Sequence, residues 1–261
     1  MSILDEIIRN KHKEVAERKK ILPVAVLEKS TYFEAKVLSL REALMQSSKS
    51  GIIAEFKRKS PSKGVINNRV SLAQVTKGYV QAGASALSVL TDEKYFGGSN
   101  TDLIEARKFN DCPILRKDFI IDEYQVIESK SLGSDIILLI AAALTKGQIV
   151  AFSKFAKSLE LEILLEIHDE KELEKITDNI DCIGINNRDL TNFKVDIERS
   201  KKLAFKISDD YIKIAESGID SVETIRNFKT HGFKGFLMGE YFMQSAHPGK
   251  ACAEFIKQLM E

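Results

Sequence analysis

Eight short apolar runs, each followed by a helix-like segment, constrain the fold of this chain more than any other feature. They are IIAEF at 52–56, ALSVL at 86–90, PILRK at 113–117, DIILLI at 135–140, LEILLEI at 161–167, CIGIN at 182–186, YIKIA at 211–215 and GFLMG at 235–239. Their spacing, roughly 20–35 residues, leaves room for one crossover helix per unit. SLAQVTKGYVQAG opens with a capping Ser71 and stops at Gly83, and DEYQVIESKSLG stops at Gly133. DEKELEKIT and SVETIRNF supply helical patterns after residues 168 and 220. Glycine just past a helix end is the usual C-terminal stop.

Strand and helix alternating eight times predict parallel strands with right-handed crossovers, and eight units favour closure into a (β/α)8 TIM barrel. The rival is a doubly wound open sheet, which carries a glycine-rich fingerprint after its first strand. Here KRKSPSKG follows instead. The 261 residues suit one barrel, a fold of about 250 residues. No Pro/Gly/Ser-rich linker divides the chain, so residues 1–261 read as one domain, with 1–50 as an N-terminal helical extension. Ser2 and Asp5 begin that extension like a capping box, and Ile3, Leu4, Ile7 and Ile8 give it an apolar face.

Composition narrows the partners. The formal net charge is +1 with 30% charged residues, so no global field points to nucleic acid or an anionic membrane. Cys112, Cys182 and Cys252 are far apart and form no CxxC pair, which argues against a disulfide framework or a cysteine-rich zinc site. His12, His168, His231 and His247 are equally scattered; a metal site needs about three or four convergent ligands, and none is expected. No apolar run approaches the roughly 18–20 residues that span a bilayer, and the N-terminus lacks a signal core. A soluble, reducing, cytoplasmic setting is the simplest inference, and a monomer is expected.

Strand side chains alternate between faces. In the first strand Ile52, Ala54 and Phe56 share the face that a barrel packs on its helices, so Glu55 and Lys57 point inward near the C-terminal mouth. A buried charge needs partners, and other strand ends supply them. The third strand brings Arg116 and Lys117, the fifth Glu166, the sixth Asn186 and Arg188, and the seventh Glu216, Ser217 and Gly218. Barrel enzymes build their sites at this end. Strand ends are also where solvent begins, which accounts for one or two charges. It accounts less well for carboxylates, lysines and an amide at matched positions on several strands. ESGI after strand seven and MGE after strand eight each place a glycine in a loop that opens a helix, where barrels often bind phosphate through backbone N–H groups. Ser217 would add a hydroxyl and Lys57 a charge.

These segments together resemble one family. ILDEIIRNKHKEVAERK, IIAEFKRKSPSKG, LTDEKYFGGS, ILRKDFIID, LLEIHDEKEL, GINNRDL, AESGI and FLMGE are similar to the motifs of indole-3-glycerol phosphate synthase, over nearly the whole chain. The resemblance implies a (β/α)8 barrel and a phosphorylated small-molecule substrate, 1-(2-carboxyphenylamino)-1-deoxyribulose 5-phosphate. It implies ring closure with loss of CO2 and water, in tryptophan biosynthesis, without cofactor or metal. It assigns Lys117 as the general acid for ring closure and Glu166 as the acid–base group of the dehydration. Lys57 holds the substrate carboxylate or phosphate and helps move protons, and Glu55 orients the lysines. Asn186 and Arg188 match contacts to the anthranilate end and hydroxyls. Ser60, Glu216, Ser217, Gly218 and Gly239 match substrate or phosphate contacts. Phe96 and Phe119 wall the aromatic ring, although ordinary core packing is the other reading of Phe119.

Two expectations concern particular side chains. A free lysine titrates at about 10.4, so burial and a neighbouring Lys57 would lower Lys117, with Glu55 and Glu166 opposing. Glu240 stands where a small hydroxyl residue is expected; its side chain should turn away and leave backbone N–H groups for the phosphate. His168 shares the facing of Glu166 and is expected to hydrogen-bond at the mouth. The residues after the first strand, KRKSPSKGVINNR, are expected to form a mobile loop that closes over substrate. Phosphoribosylanthranilate isomerase, another phosphate-binding barrel, would leave Lys57 and Lys117 without a task. A barrel kept only as a scaffold would show damaged strand ends, and these are intact.

Overall fold

The computed structural model describes residues 2–189 and 193–261. Leu190, the last residue of GINNRDL, and Met1 lie outside the described residues. Eight parallel strands close into a barrel: β1 (Ile52–Phe56), β2 (Ala86–Leu90), β3 (Ile114–Lys117), β4 (Ile136–Ile140), β5 (Glu162–Ile167), β6 (Cys182–Asn186), β7 (Ile212–Glu216) and β8 (Phe233–Met238). Each predicted run became a strand, with ends shifted by a residue or two. Closure comes from β1 pairing with both β2 and β8. The barrel agrees with the sequence expectation.

The period-2 alternation divides the strands as expected. Ile52, Ala54 and Phe56 join the large outer cluster beneath the helices, with Val89, Ile137, Leu165, Ile185 and Met238. Ile53, Leu115, Leu138, Leu164, Ile214 and Leu237 fill the barrel interior. The interior is closed at the N-terminal end by a short helix, α3 (Leu40–Met45), whose Leu40 and Leu44 join the same inner cluster. The Glu162 carboxylate on β5 anchors it, accepting from the N–H groups of Leu40 at 2.8 Å and Arg41 at 3.1 Å and from the Ser39 hydroxyl. An anion at a helix N-terminus satisfies donors that have no partner within the helix.

The N-terminal extension starts with α1 (Ile3–Ile21), which carries the capping box of Ser2 and Asp5. It continues through α2 (Val24–Leu27) to α3. The crossover helices include α4 (Leu72–Gln81), α6 (Asn100–Phe109), α7 (Glu123–Ser131) and, after β7, a helix over Val222–Thr230, and a four-residue helix, α5 (Glu93–Phe96), precedes α6. Gly83 and Gly133, the predicted stops, take φ of 96° and 86°, a region that favours glycine. DEKELEKIT differs from the α-helix expected: Glu170–Lys175 forms a 3-10 helix, and its run of charged residues offers little apolar face to lengthen it.

Arg116 is a correction to the expected gathering at the mouth. It neighbours Lys117 on β3, so its side chain points to the opposite face and ends fully buried beneath the helices. There its guanidinium donates to Glu128 at 2.6 Å, Asp118 at 3.2 Å, Thr91 at 3.1 Å and Ser129 at 3.1 Å. Removing one partner from such a buried network strands the others. Arg116→Met should cost about 3–5 kcal/mol, measured as the change in unfolding free energy in urea; a loss below about 1 kcal/mol would contradict this reading of the network.

Candidate active site

The strand ends open into a cavity of about 340 Å³ at the C-terminal mouth. Around it stand most of the residues singled out from sequence: Glu55, Lys57, Ser60, Phe96, Lys117, Phe119, Glu166, Asn186, Arg188, Glu216, Ser217, Gly218, Gly239 and Glu240; Arg116 and His168 do not line it. Parity explains the convergence. Glu55, Lys117, Glu166, Asn186 and Glu216 all occupy inward positions near the ends of their strands, and the registers set Glu166 opposite Gly184 and Asn186 opposite Glu216.

Two ion-paired lysines dominate the floor. The Lys117 ammonium lies 2.6 Å from Glu166 Oε2 and 3.1 Å from Glu216 Oε2. Glu166 Oε1 accepts from Asn186 Nδ2 at 3.1 Å. The Lys57 ammonium lies 2.8 Å from Glu55 Oε1, and Ser88 Oγ donates to the other Glu55 oxygen at 3.3 Å. Two glycines make this crowding possible. A Cβ at Gly184 would come within 2.1 Å of Glu216 Oε1, and one at Gly239 would come within 2.7 Å of Glu55 Oε1.

Electrostatics assign the protons. Burial alone would lower the Lys117 ammonium, but Glu166, Glu216 and Glu55 together outweigh it and hold Lys117 well above the ordinary lysine value. Burial would likewise raise Glu166, yet Lys117 and His168 keep it ionised and well below the usual carboxylate range. Glu216 follows burial: Lys117 pulls it down, repulsion from Glu166 pushes it up, and the carboxyl ends at about 7. Two carboxylates flank one ammonium, and one of the two retains its proton more readily.

Above the floor the cavity is apolar on one side. The Phe96 and Phe119 rings pack with centroids 5.9 Å apart, and Leu138, Ile140 and Leu237 continue the wall. The far side is polar and irregular. Ser217 and Gly218 both adopt left-handed backbone, with φ of 66° and 68°. At Gly218 no side chain is admissible, because a Cβ would meet Val195 at 2.4 Å. Across the mouth Arg188 and Lys63 each lie 3.4 Å from the Glu240 carboxylate.

A model of the family described as indole-3-glycerol phosphate synthase matches residues 4–255. The chain belongs to the indole-3-glycerol phosphate synthase family. Proteins carrying that name are 47% identical in Bacteroides thetaiotaomicron, covering 98% of both chains, and 43% identical in Legionella pneumophila, covering 96% of both. Family membership makes this chain a carboxy-lyase of tryptophan biosynthesis. Among solved structures, the tryptophan synthase alpha subunit of Legionella pneumophila superposes with a TM-score of 0.61 at 11% identity, over 84% of this chain and 95% of that one. The 3-hexulose-6-phosphate synthase of Salmonella typhimurium gives 0.62 at 12%, over 80% and 98%. At such identities these two show the fold alone.

The geometry corrects three expectations for this family member. Lys117 is raised rather than lowered, because the nearest charges are carboxylates and Lys57 is itself neutralised by Glu55. Glu240 does not turn away from the site; it lines the cavity and bridges Arg188 and Lys63. The loop after β1 is organised by a small antiparallel hairpin, Lys59–Ser60 with Gly64–Val65. His168 departs from its expectation: its Nε2 lies 3.3 Å from Glu166 Oε1 as an ion-pair contact, without hydrogen-bond geometry, and the residue sits behind the cavity rather than lining its mouth. Sequence reading missed Ile3, Leu4 and Ile7 of α1, which line the cavity although about 50 residues precede the first strand. Their apolar face was visible, but nothing local says what it covers. Among the described residues no group of three metal-ligating side chains converges.

His168 yields a test of the site's electrostatics. Burial would lower its imidazole, but Glu166 and Glu172 overcome that and raise it to about 9. A value raised on folding stabilises the protein fully below the ordinary histidine range, and the contribution fades as pH rises through 9. The stability gap between the wild type and His168→Gln should therefore shrink between pH 7 and pH 9, read from denaturant midpoints. A gap that stays constant would show that the imidazole is not held protonated.

Proposed function

We propose that the paired lysines and carboxylates at the mouth divide the indole-3-glycerol phosphate synthase reaction among them. The substrate carries a benzoate ring at one end, a phosphate at the other, and a ketone between. The apolar wall of Phe96 and Phe119 takes the ring. Lys57 faces the substrate carboxylate. Ser217, Gly218 and Gly239 present backbone N–H groups to the phosphate, with Arg188 and Lys63 released from Glu240 to add positive charge. Ser60 and Asn186 hold hydroxyls between these ends.

The ring carbon bearing the carboxylate attacks the ketone carbon, and the carbonyl oxygen becomes an alkoxide. Lys117 gives that oxygen a proton. A lysine held above its ordinary value is still able to protonate an alkoxide, which is the stronger base. The carbon–carboxylate bond then breaks, CO2 leaves, and its electron pair restores the aromatic ring. In the last step Glu166, ionised at rest, takes the proton from the carbon next to nitrogen. The hydroxyl leaves as water with a proton from Lys57, and the new carbon–carbon double bond makes the already closed ring a pyrrole. Glu55 keeps Lys57 oriented and charged. The steps are proton transfers and bond reorganisation within one substrate, and as written they call for no cofactor or metal.

The observation that carries this reading is the 2.6 Å pair of Lys117 with Glu166, set between an aromatic wall and an anion-accepting rim. We also read the chain as one domain acting as a cytoplasmic monomer, without nucleic-acid or membrane partners. The near-neutral charge supports this, and among the described residues no helix is long and apolar enough to cross a membrane. Light scattering on the eluted protein tests the monomer.

The deciding experiment incubates the purified chain with the carboxyphenylamino substrate and follows indole fluorescence, which is unmasked because the chain has no tryptophan. Folded protein without signal removes the proposal. Lys117→Ala should lower kcat by about 100-fold or more while remaining folded. Glu166→Gln should slow kcat with little change in substrate affinity; an effect confined to KM would count against its acid–base role. Glu216 predicts a pH effect of definite sign. As pH rises through about 7 it ionises, Lys117 holds its proton more tightly, and kcat/KM should fall. That limb should vanish in Glu216→Gln, whereas limbs belonging to the substrate phosphate persist in both.

A further inference from the structure

The most completely buried ammonium outside the reacting cluster belongs to the N-terminal helix. Lys11 on α1 is fully buried, and its Nζ lies 2.8 Å from Asp118 Oδ1, 3.0 Å from Asp92 Oδ2 and 3.0 Å from Glu14 Oε2. Burying a lysine costs several kcal/mol before its partners compensate, so its placement calls for an explanation. Its partners sit at informative places. Asp118 lies between Lys117 and Phe119, and its Oδ1 also accepts from the Phe119 N–H at 2.8 Å. Asp92 is the N-cap of α5, the helix that carries Phe96, and its other oxygen accepts from the Tyr95 N–H at 2.8 Å. One ammonium thus joins the backbone roots of both aromatic walls. A second link runs parallel to it: Tyr95 Oη donates to Glu6 of α1 at 2.9 Å. One turn before Lys11, Ile7 lines the same cavity.

We propose that Lys11 is a positioning residue for the aryl subsite, clamping Phe96 and Phe119 at the separation that receives the substrate's benzoate ring. This rests on the reading of the cavity given above. Lys11 touches no reacting atom. It acts through Asp92 and Asp118, and it makes the helical extension part of the site's specificity toward an aromatic amine. The phosphate end has no share in this network, so the two ends of the substrate should respond differently to its loss.

Lys11→Met keeps the length and removes the charge. The protein is compared with wild type below its unfolding transition by three readouts: kcat/KM for the carboxyphenylamino substrate, inhibition by inorganic phosphate, and the emission maximum of indole-3-glycerol phosphate at saturating enzyme. The last is readable because the chain lacks tryptophan. The proposal expects kcat/KM to fall about tenfold or more, the bound indole to shift to the red as water reaches its ring, and the phosphate inhibition constant to stay as in wild type. Unchanged turnover and emission overturn it, as does an equal weakening of both ends. Should Lys11→Met not fold, Asp92→Asn decides by the same outcomes, since Asn preserves the helix cap and only the link to Phe96 is cut. Wild-type turnover in the same assay separates failure of this proposal from failure of the reading beneath it.

Discussion

Charge inside this barrel is held only in pairs or clusters, and the upper half of the molecule is arranged around that constraint. Lys117, Glu166 and Glu216 come from three different strands; the two carboxylates are buried and the lysine between them is largely so. None of the three could be kept there alone, since an unpaired buried ion costs several kcal/mol. The closed barrel fixes their separations because its strands are locked in register on both sides. The same rigidity lets Gly184 and Gly239 stand where a methyl group would displace a carboxylate.

From that cluster the electrostatics follow in an order the sequence did not disclose. Lysine beside lysine suggested a depressed ammonium. In the folded chain each lysine has its own carboxylate, so the cations scarcely see one another and Lys117 is raised. The unusual carboxyl is Glu216, which shares Lys117 with a stronger competitor and titrates near 7 as a result. Glu240 belongs to the same logic at the rim, where its carboxylate neutralises Arg188 and Lys63.

Much of the fold was legible because its signals are local. Alternating apolar runs, capping residues such as Ser71 and stops such as Gly83 and Gly133 each act within a few residues. Inward facing could be counted along β1 from Ile53 to Glu55 to Lys57, and parity on β3 already separates Arg116 from Lys117. The network that receives Arg116 was not legible, because Glu128, Thr91 and Ser129 converge on it only when α7 and β2 pack beside β3. The same holds for Ile3, Leu4 and Ile7, whose face could be read from the sequence but whose target could not.

The sequence by itself therefore determined the barrel, the inward identity of the chemical residues and the family to which they belong, since these depend on period, spacing and motif. The tertiary structure alone decided which charges pair, which carboxyl keeps a proton near neutrality and how α1 is tied to the aromatic wall. Pairing and pKa depend on distances of about 3 Å between strands and helices far apart in the chain, and those distances come into being only when the barrel closes.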